Sequence, residues 1–287
     1  RALAQGAELR APHTNVATIL IETDDTWARD IAPITTLADG LPLLIDYRFN
    51  GWGNKFEHGL DARFGRQLVD TAGFATLGYE PSDFVLEGGA IDTDGEGTLL
   101  INRPTVLSER RNPGFNQAAA EAKLRDTLGI ERVHWLDLPQ LAGDDTDGHI
   151  DTLARFGSRD AIVHASPHDE HDPNVGALNQ LEQQLAALRT PDGEPYRLVP
   201  LPGPEPITGR EGALCPASYA NFLVLNEAVL VPSFADARDA DAIEAIQALF
   251  PDRIVVPVPS RTFVGQAGSI HCLTMQLPQG VFEDLAF

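Results

Sequence analysis

The stretch Thr98–Leu136, TLLINRPTVLSERRNPGFNQAAAEAKLRDTLGIERVHWL, decides the fold class. It opens on an apolar run, Thr98–Ile101, of strand length. Asn116 can accept hydrogen bonds from free backbone N–H groups at a helix start, and Gly129 can take the left-handed conformation at its end. The spacing therefore predicts a helix over Asn116–Leu128. Leu124 and Leu128 stand one turn apart on its buried face, while Glu121, Lys123 and Arg125 point elsewhere. A second strand run, Val133–Leu136, follows. The same alternation extends outward on both sides. Strand-length runs occur at Val16–Ile21, Leu41–Ile45, Ala161–His164, Phe222–Leu225, Val229–Val231 and Ile254–Val258, with helical patterns at Val175–Leu188 and Ala237–Leu249. In the last helix Ala240, Ile243, Ile246 and Leu249 form a stripe. Strands alternating with helices mean an α/β fold. Neither GxGxxG nor GxxxxGK[ST] is present, which removes the usual support for nucleotide binding. No low-complexity linker divides the chain, so residues 1–287 read as one domain. The Gly- and Pro-rich stretch Pro200–Pro216 is expected to be a surface loop near function.

The chain has 287 residues, 43% hydrophobic and 22% charged, enough to bury a sizeable core. No apolar stretch is long enough for a membrane span. The formal charge of −21, from 42 acidic against 21 basic residues, disfavours nucleic acid and anionic membrane surfaces as partners. It suits a small cationic ligand only weakly, and a solvated acidic surface is the plainer account. Only Lys55 and Lys123 are lysines, a bias with no functional account. Two cysteines, Cys215 and Cys272, make no disulfide framework and fit a reducing, cytoplasmic setting. The sequence opens at Arg1, and Ala2–Arg10 reads as the end of a helix already under way, so native residues are expected to precede it.

Four segments carry candidate chemistry. In Gly265–Cys272 a glycine-bearing turn leads into a cysteine followed by the strand-like Leu273-Thr274-Met275. A thiol needs a cationic neighbour or substrate to ionise at neutral pH; the plain reading is a buried small hydrophobe. In Asp144–Asp151, His149 and Asp151 alternate in a strand-like register and share one face, giving a proton shuttle or a structural pair. Thr23–Asp30 gathers Asp24, Asp25, Asp30, Arg29 and Trp27. Such a mouth suits a planar guanidinium, which takes a bidentate carboxylate and stacks on an aromatic face, or is a solvated acidic turn. In Leu86–Ala90, Gly88 and Gly89 permit a close backbone approach beside Glu87.

Read together, TDDTWARDIAP (23–33), FNGWGNKF (49–56), EGGAIDTDGEGTLL (87–100), GDDTDGHIDTLARF (143–156), PASYANFLV with AVLVPSF (216–234) and GSIHCLTMQLP (268–278) resemble the agmatine deiminase family, which includes the bacterial type of peptidylarginine deiminase. The resemblance covers nearly the whole chain, with the motifs in family order. It implies a five-bladed α/β propeller with pseudo-fivefold symmetry and a site on its axis. It also implies hydrolysis of a guanidinium, with agmatine first (giving N-carbamoylputrescine and ammonia) and an arginine derivative or peptidyl arginine second. By position, Cys272 matches the nucleophile and His149 the general acid/base. Asp151 and Asp30 match the carboxylates gripping the guanidinium, Glu87 the acid orienting the histidine, and Trp27 the aromatic lining; Asp25 is a further candidate substrate contact. Neither metal nor other cofactor is implied, and relatives are often homo-oligomers.

The chain departs from the family pattern at several places. Gln266, Ala267, Gly268 and Ser269 replace a run of three glycines and an asparagine. Asp24 stands for asparagine, Asn54 for glycine and Met275 for glutamine. Cys215 has no family role and reads as structural. Two rival readings stand beside the deiminase. One is a metal hydrolase built on His164, His168 and His171 with Asp169, Glu170 and Asp172, weakened by spacing unlike HExxH and by Pro167 and Pro173. The other is a non-catalytic guanidine-binding protein on the same scaffold, prompted by the altered turn before Cys272.

Overall fold

The computed structural model describes residues 18–71, 74, 77–209 and 212–278. Among these, the chain repeats one arrangement four times: an antiparallel hairpin, a helix, and a third strand lying parallel to the hairpin's second strand. The first unit holds β1 (Ile34–Ala38), β2 (Leu41–Arg48), α1 (Phe64–Val69) and β3 (Gly78–Val85). The second holds β4 (Ile91–Thr93), β5 (Thr98–Asn102), α2 (Gln117–Leu128) and β6 (Arg132–Leu136). The third holds β7 (Ala154–Ser158), β8 (Ala161–Ala165), α3 (Val175–Ala187) and β9 (Arg197–Leu201). The fourth holds β10 (Leu223–Val224), β11 (Ala228–Ser233), α4 (Asp239–Leu249) and β12 (Ile254–Pro259). The α/β expectation holds.

The core lies where successive units meet. On β5, Leu99 and Ile101 face one apolar cluster with Ile45 and Phe84 of the first unit, while Leu100 faces another with Ile162 and Leu181 of the third. On β8, Ile162 joins that second cluster and Ala161 and Val163 a third, with Phe222 and Ile246 of the fourth unit. Successive strand residues point to opposite faces, so a middle strand buried on both sides must be apolar throughout. That is why these runs were conspicuous in the sequence.

The α2 punctuation is as expected. Asn116 Oδ1 accepts from Ala119 N, and Gly129 closes the helix at φ 69°. On α4 the buried stripe is Ala242, Ile246 and Leu249, with Ile243 partly buried and Ala240 exposed. The β1–β2 turn is Asp39-Gly40, both at positive φ, the backbone that matches the twist of a tight hairpin.

Two expectations need correction. Residues 18–21 form no strand, and Leu20 is 91% exposed, because no neighbouring strand among the described residues pairs with them. Val16, Ala17 and the Ala2–Arg10 reading lie outside the described residues. The stretch Pro200–Pro216 is not simply a surface loop. Pro200 and Leu201 end β9, and Ile207 is buried in the core cluster of the third and fourth units. Residues 202–206 and 214–216 line a cavity of about 80 Å³ with Ser166, Asn174 and Tyr219. No helix among the described residues is long and apolar enough to cross a membrane.

Candidate active site

Five short turns carry the candidate residues, and they contact one another in a ring. Four precede the first strand of a unit: Trp27–Ile31, Glu87–Ala90, His149–Thr152 and Ser218–Asn221. The fifth, Ile270–Leu273, follows β12. Asp30 Oδ1 accepts from Gly89 N at 3.0 Å, joining the first turn to the second. A Cβ on Gly89 would stand 2.6 Å from His149 Nδ1, 2.9 Å from Asp30 Oδ1 and 3.2 Å from Asp151 Oδ2, so only glycine lets these three converge. Asn221 Nδ2 donates to Asp151 O (3.4 Å), joining third to fourth, and Asn221 Oδ1 accepts from His271 N (3.1 Å), joining fourth to fifth. Arg29 N donates to Cys272 O at 3.0 Å and closes the ring.

The turns themselves differ from the sequence expectation. His149 enters with extended backbone, but Ile150–Thr152 is a 3₁₀ turn, so His149 and Asp151 meet through a tight turn instead of sharing a strand face. Leu273 N donates to Ser269 O and Thr274 N to His271 O, so Cys272 lies in a turn and Leu273–Met275 form no strand. Trp27–Asp30 likewise begins a short helical turn, with no strand preceding it among the described residues.

At the centre, Cys272 Sγ lies 3.6 Å from Asp151 Oδ2 and 3.3 Å from Asn221 Nδ2. His271 Nδ1 lies 2.8 Å from the same Asp151 oxygen, leaving Asp151 Oδ1 buried with no partner. Asp30 Oδ2 accepts from Trp52 Nε1 at 2.9 Å, and His149 Nδ1 stands 3.8 Å from Asp30 Oδ1. Trp27, Trp52, Phe49 and Ile31 pack with Cys272 into an apolar wall. Glu87 and the Arg111 side chain are fully buried, with Nε donating to Oε1 at 2.7 Å. Glu87 thus bonds Arg111, while Glu87 Oε2 and His149 Nε2 are both buried without a partner. Arg111 also reaches Asp147 (2.7 Å) and Thr146 O (2.9 Å), and so holds the loop leading into His149.

Burial, then Asp151 and Glu87, push Asp30 up to about 8. Burial raises Asp151 to about 6, with Arg155 and Arg29 pulling the other way. Burial, Asp151 and Asp30 push the Cys272 thiol well above its ordinary range. Burial, aided by Arg111 and Lys55, holds His149 well below its ordinary value and therefore neutral. Every one of these shifts disfavours charge, and a cation placed among the two carboxylates and the thiol reverses the carboxylate and thiol shifts.

Two departures from the family pattern acquire a geometric meaning. Gly51, Trp52, Gly53 and Asn54 all have positive φ, forming one left-handed turn that aims Trp52 at Asp30. Asn54, at φ 62°, is among the few residues other than glycine that tolerate this conformation. Ala267, at φ 77°, is not. Gly268 abuts Trp27, where a Cβ would come within 2.2 Å of the ring, and is retained.

Asp25 is only partly buried and bonds Thr26 N and Asp61, apart from the central cluster. Cys215 packs against the core. His164 lies buried in β8, His168 beside Arg238, and His171 exposed, so these three do not converge. Trp52, Asn221 and His271 sat inside quoted motifs without a role. Trp52 stands between two glycines and His271 beside Cys272, while Asn221 has no such neighbour; the contacts of all three span distant turns. Arg111 carried no local signal.

The family model for Porphyromonas-type peptidyl-arginine deiminases matches residues 2–278. An agmatine deiminase of Pseudomonas aeruginosa (strain LESB58) is 35% identical over 304 residues, covering 96% of this chain and 80% of that protein. Among solved structures, a candidate arginine deiminase from Porphyromonas gingivalis is similar with a TM-score of 0.87 and 46% identity, over 91% of this chain and 78% of that one. A C. jejuni agmatine deiminase with substrate bound gives 0.83 and 34%, over 90% and 75%.

Proposed function

The chain belongs to the Porphyromonas-type peptidyl-arginine deiminase family, hydrolases of a guanidino C–N bond, and on that premise we propose that it converts agmatine to N-carbamoylputrescine and ammonia through Cys272. The observation that carries this reading is the group of buried Asp30 and Asp151 with the partly buried Cys272, three sites for negative charge with a neutral histidine beside them. A guanidinium offers N–H donors to both carboxylates at once, and its charge lowers the proton affinity of the thiol. The thiol proton passes to His149 while Sγ bonds the central carbon. His149 then gives that proton to the departing amino group, the C–N bond breaks, and ammonia leaves an amidino-thioether on Cys272. His149 next takes a proton from water. The resulting hydroxide attacks the same carbon, the C–S bond breaks, the added hydroxyl gives its proton to the departing sulfur, and a urea group and the thiol are released while His149 returns its proton to solvent. Glu87, neutralised by Arg111, and Trp27 complete the walls.

Agmatine is favoured by the names of the curated relatives and by the acidic side chains of Asp24, Asp25, Asp61 and Asp145, which suit the far amine of a dication. Free or peptidyl arginine is the second reading, supported by the 46% identical neighbour and the family model. For the whole molecule we propose the five-bladed propeller. Five turns close a ring around the site, and four of them lead into the four repeated units, which supports five positions about one axis. Both cysteines are free, which fits a cytoplasmic setting.

The test is incubation with agmatine, free arginine and an arginine-terminated peptide, measuring ammonia and ureido product, with Cys272→Ala as control. Agmatine is expected to exceed the others in kcat/KM by at least about tenfold. A preference for arginine or the peptide moves the assignment to the second reading. Binding of all three without turnover leaves a guanidine-binding protein.

A further inference from the structure

We propose that His271 is a positioning residue for Asp151, holding one carboxylate oxygen as a neutral donor so that the other stays free for the substrate cation. This rests on the deiminase reading of the site. His271 is buried, and its Nδ1 lies 2.8 Å from Asp151 Oδ2. Its own backbone is fixed from two sides: N donates to Asn221, and O accepts from Arg29 Nε at 3.2 Å. The backbone is therefore held in the ring of turns, and burial keeps the imidazole against Asp151. Asp151 Oδ2 also stands 3.6 Å from Cys272 Sγ, whereas Oδ1 is buried with no partner. An unpaired carboxylate oxygen in a dry site is costly and is the natural acceptor for a guanidinium N–H.

The charge state of His271 decides how it acts on Asp151. A cationic imidazole would neutralise Asp151 and compete with the substrate for it. Burial, followed by Arg155, Arg29 and His149, holds His271 well below its ordinary value, so it stays neutral. A neutral Nδ1–H still orients the carboxylate and favours its ionised form. The charged or titratable groups facing this pair are Arg29 from the first turn, His149 from the third, Arg155 from β7, Cys272 beside it, and Asp30 across the site.

Wild type, His271→Asn and His271→Leu are compared. The asparagine amide nitrogen can stand where Nδ1 stands, and leucine removes the donor. The pH profile of kcat/KM on the substrate the enzyme turns over is measured with each. Cys272 labelling by cationic chloroacetamidine and by neutral iodoacetamide is followed in parallel. For His271→Leu, kcat/KM is expected to fall roughly ten- to hundredfold, and the acid limb to move up by about one pH unit. Chloroacetamidine labelling should slow far more than iodoacetamide labelling, and His271→Asn should recover most of both. If Leu does not fold, His271→Gln, whose amide nitrogen sits one atom too far out, carries the same expectation. Equal impairment by Asn and Leu, or an unmoved limb with equal slowing of both reagents, overturns the proposal. Absence of turnover in wild type overturns the deiminase reading instead, and the two labelling rates still test the His271–Asp151 link.

Discussion

Asp30 has both carboxylate oxygens bonded, to Gly89 N and Trp52 Nε1, yet burial and then Asp151 and Glu87 raise it to about 8 from its ordinary 3.8. Between those two values the folded protein binds more protons than the unfolded chain. Stability from this group is therefore fully present below about 4 and is lost as pH rises through about 8. Asp151, raised to about 6, adds to the loss over the lower part of that window. The empty site is thus destabilised at working pH, and a bound cation offsets the loss by favouring both ionised carboxylates. Asp30→Asn removes one titration while keeping shape. Thermal melts from about pH 5 to about pH 8 should show the variant losing less stability than wild type, with turnover down by at least about a hundredfold. A pH slope as steep as that of wild type would remove Asp30 from this account.

At the scale of elements, the site is built from turns and not from strand ends. Ile150–Thr152 tightens into a 3₁₀ turn after Gly148, whose φ of 90° and close approach to Asn102 leave no room for a side chain. An alternating sequence reading of His149 and Asp151 could not detect that, because the deciding contact comes from the previous unit. Helices were easier to read. Asn116 and Gly129 act locally on their own helix ends, and both stand where the residues indicated. Ala267 shows the reverse case, a sequence departure whose meaning appears only with its φ of 77°. Glycine adopts that conformation without the Cβ clash that strains alanine. Ala267→Gly should raise stability by about 1 kcal/mol in denaturant melts and keep turnover within about threefold. A variant less stable than wild type would mean that the turn before Cys272 is not strained.

Across the whole molecule, the α/β class was legible because β5 and β8 separate apolar clusters and must be apolar on both faces. The reaction class was legible because six motifs stood in family order. The ring that joins those motifs was not. Asp30, Gly89, Asp151, Asn221 and Cys272 occupy comparable places in successive turns, but each is set by its part in the site, so only aspartate recurs. Val16–Ile21 read as a strand from its β-branched residues, yet a strand needs a ladder partner and residues 18–21 have none among the described residues. Arg29 illustrates closure over long range. Its backbone N bonds Cys272 O, and its guanidinium reaches His271 O, Met275 Sδ and Gln276 Oε1, tying the first turn to the last. That tie places the thiol against carboxylates from two other turns, which is what makes Cys272 the proposed nucleophile. The most direct test mixes the protein with agmatine, quenches it in acid within milliseconds to seconds, and maps the modified peptide by mass spectrometry. The account predicts a transient adduct of agmatine less ammonia on Cys272, absent from Cys272→Ala, which does not turn over. Turnover that persists in Cys272→Ala, or that proceeds in wild type with Cys272 unmodified at every time, would contradict it.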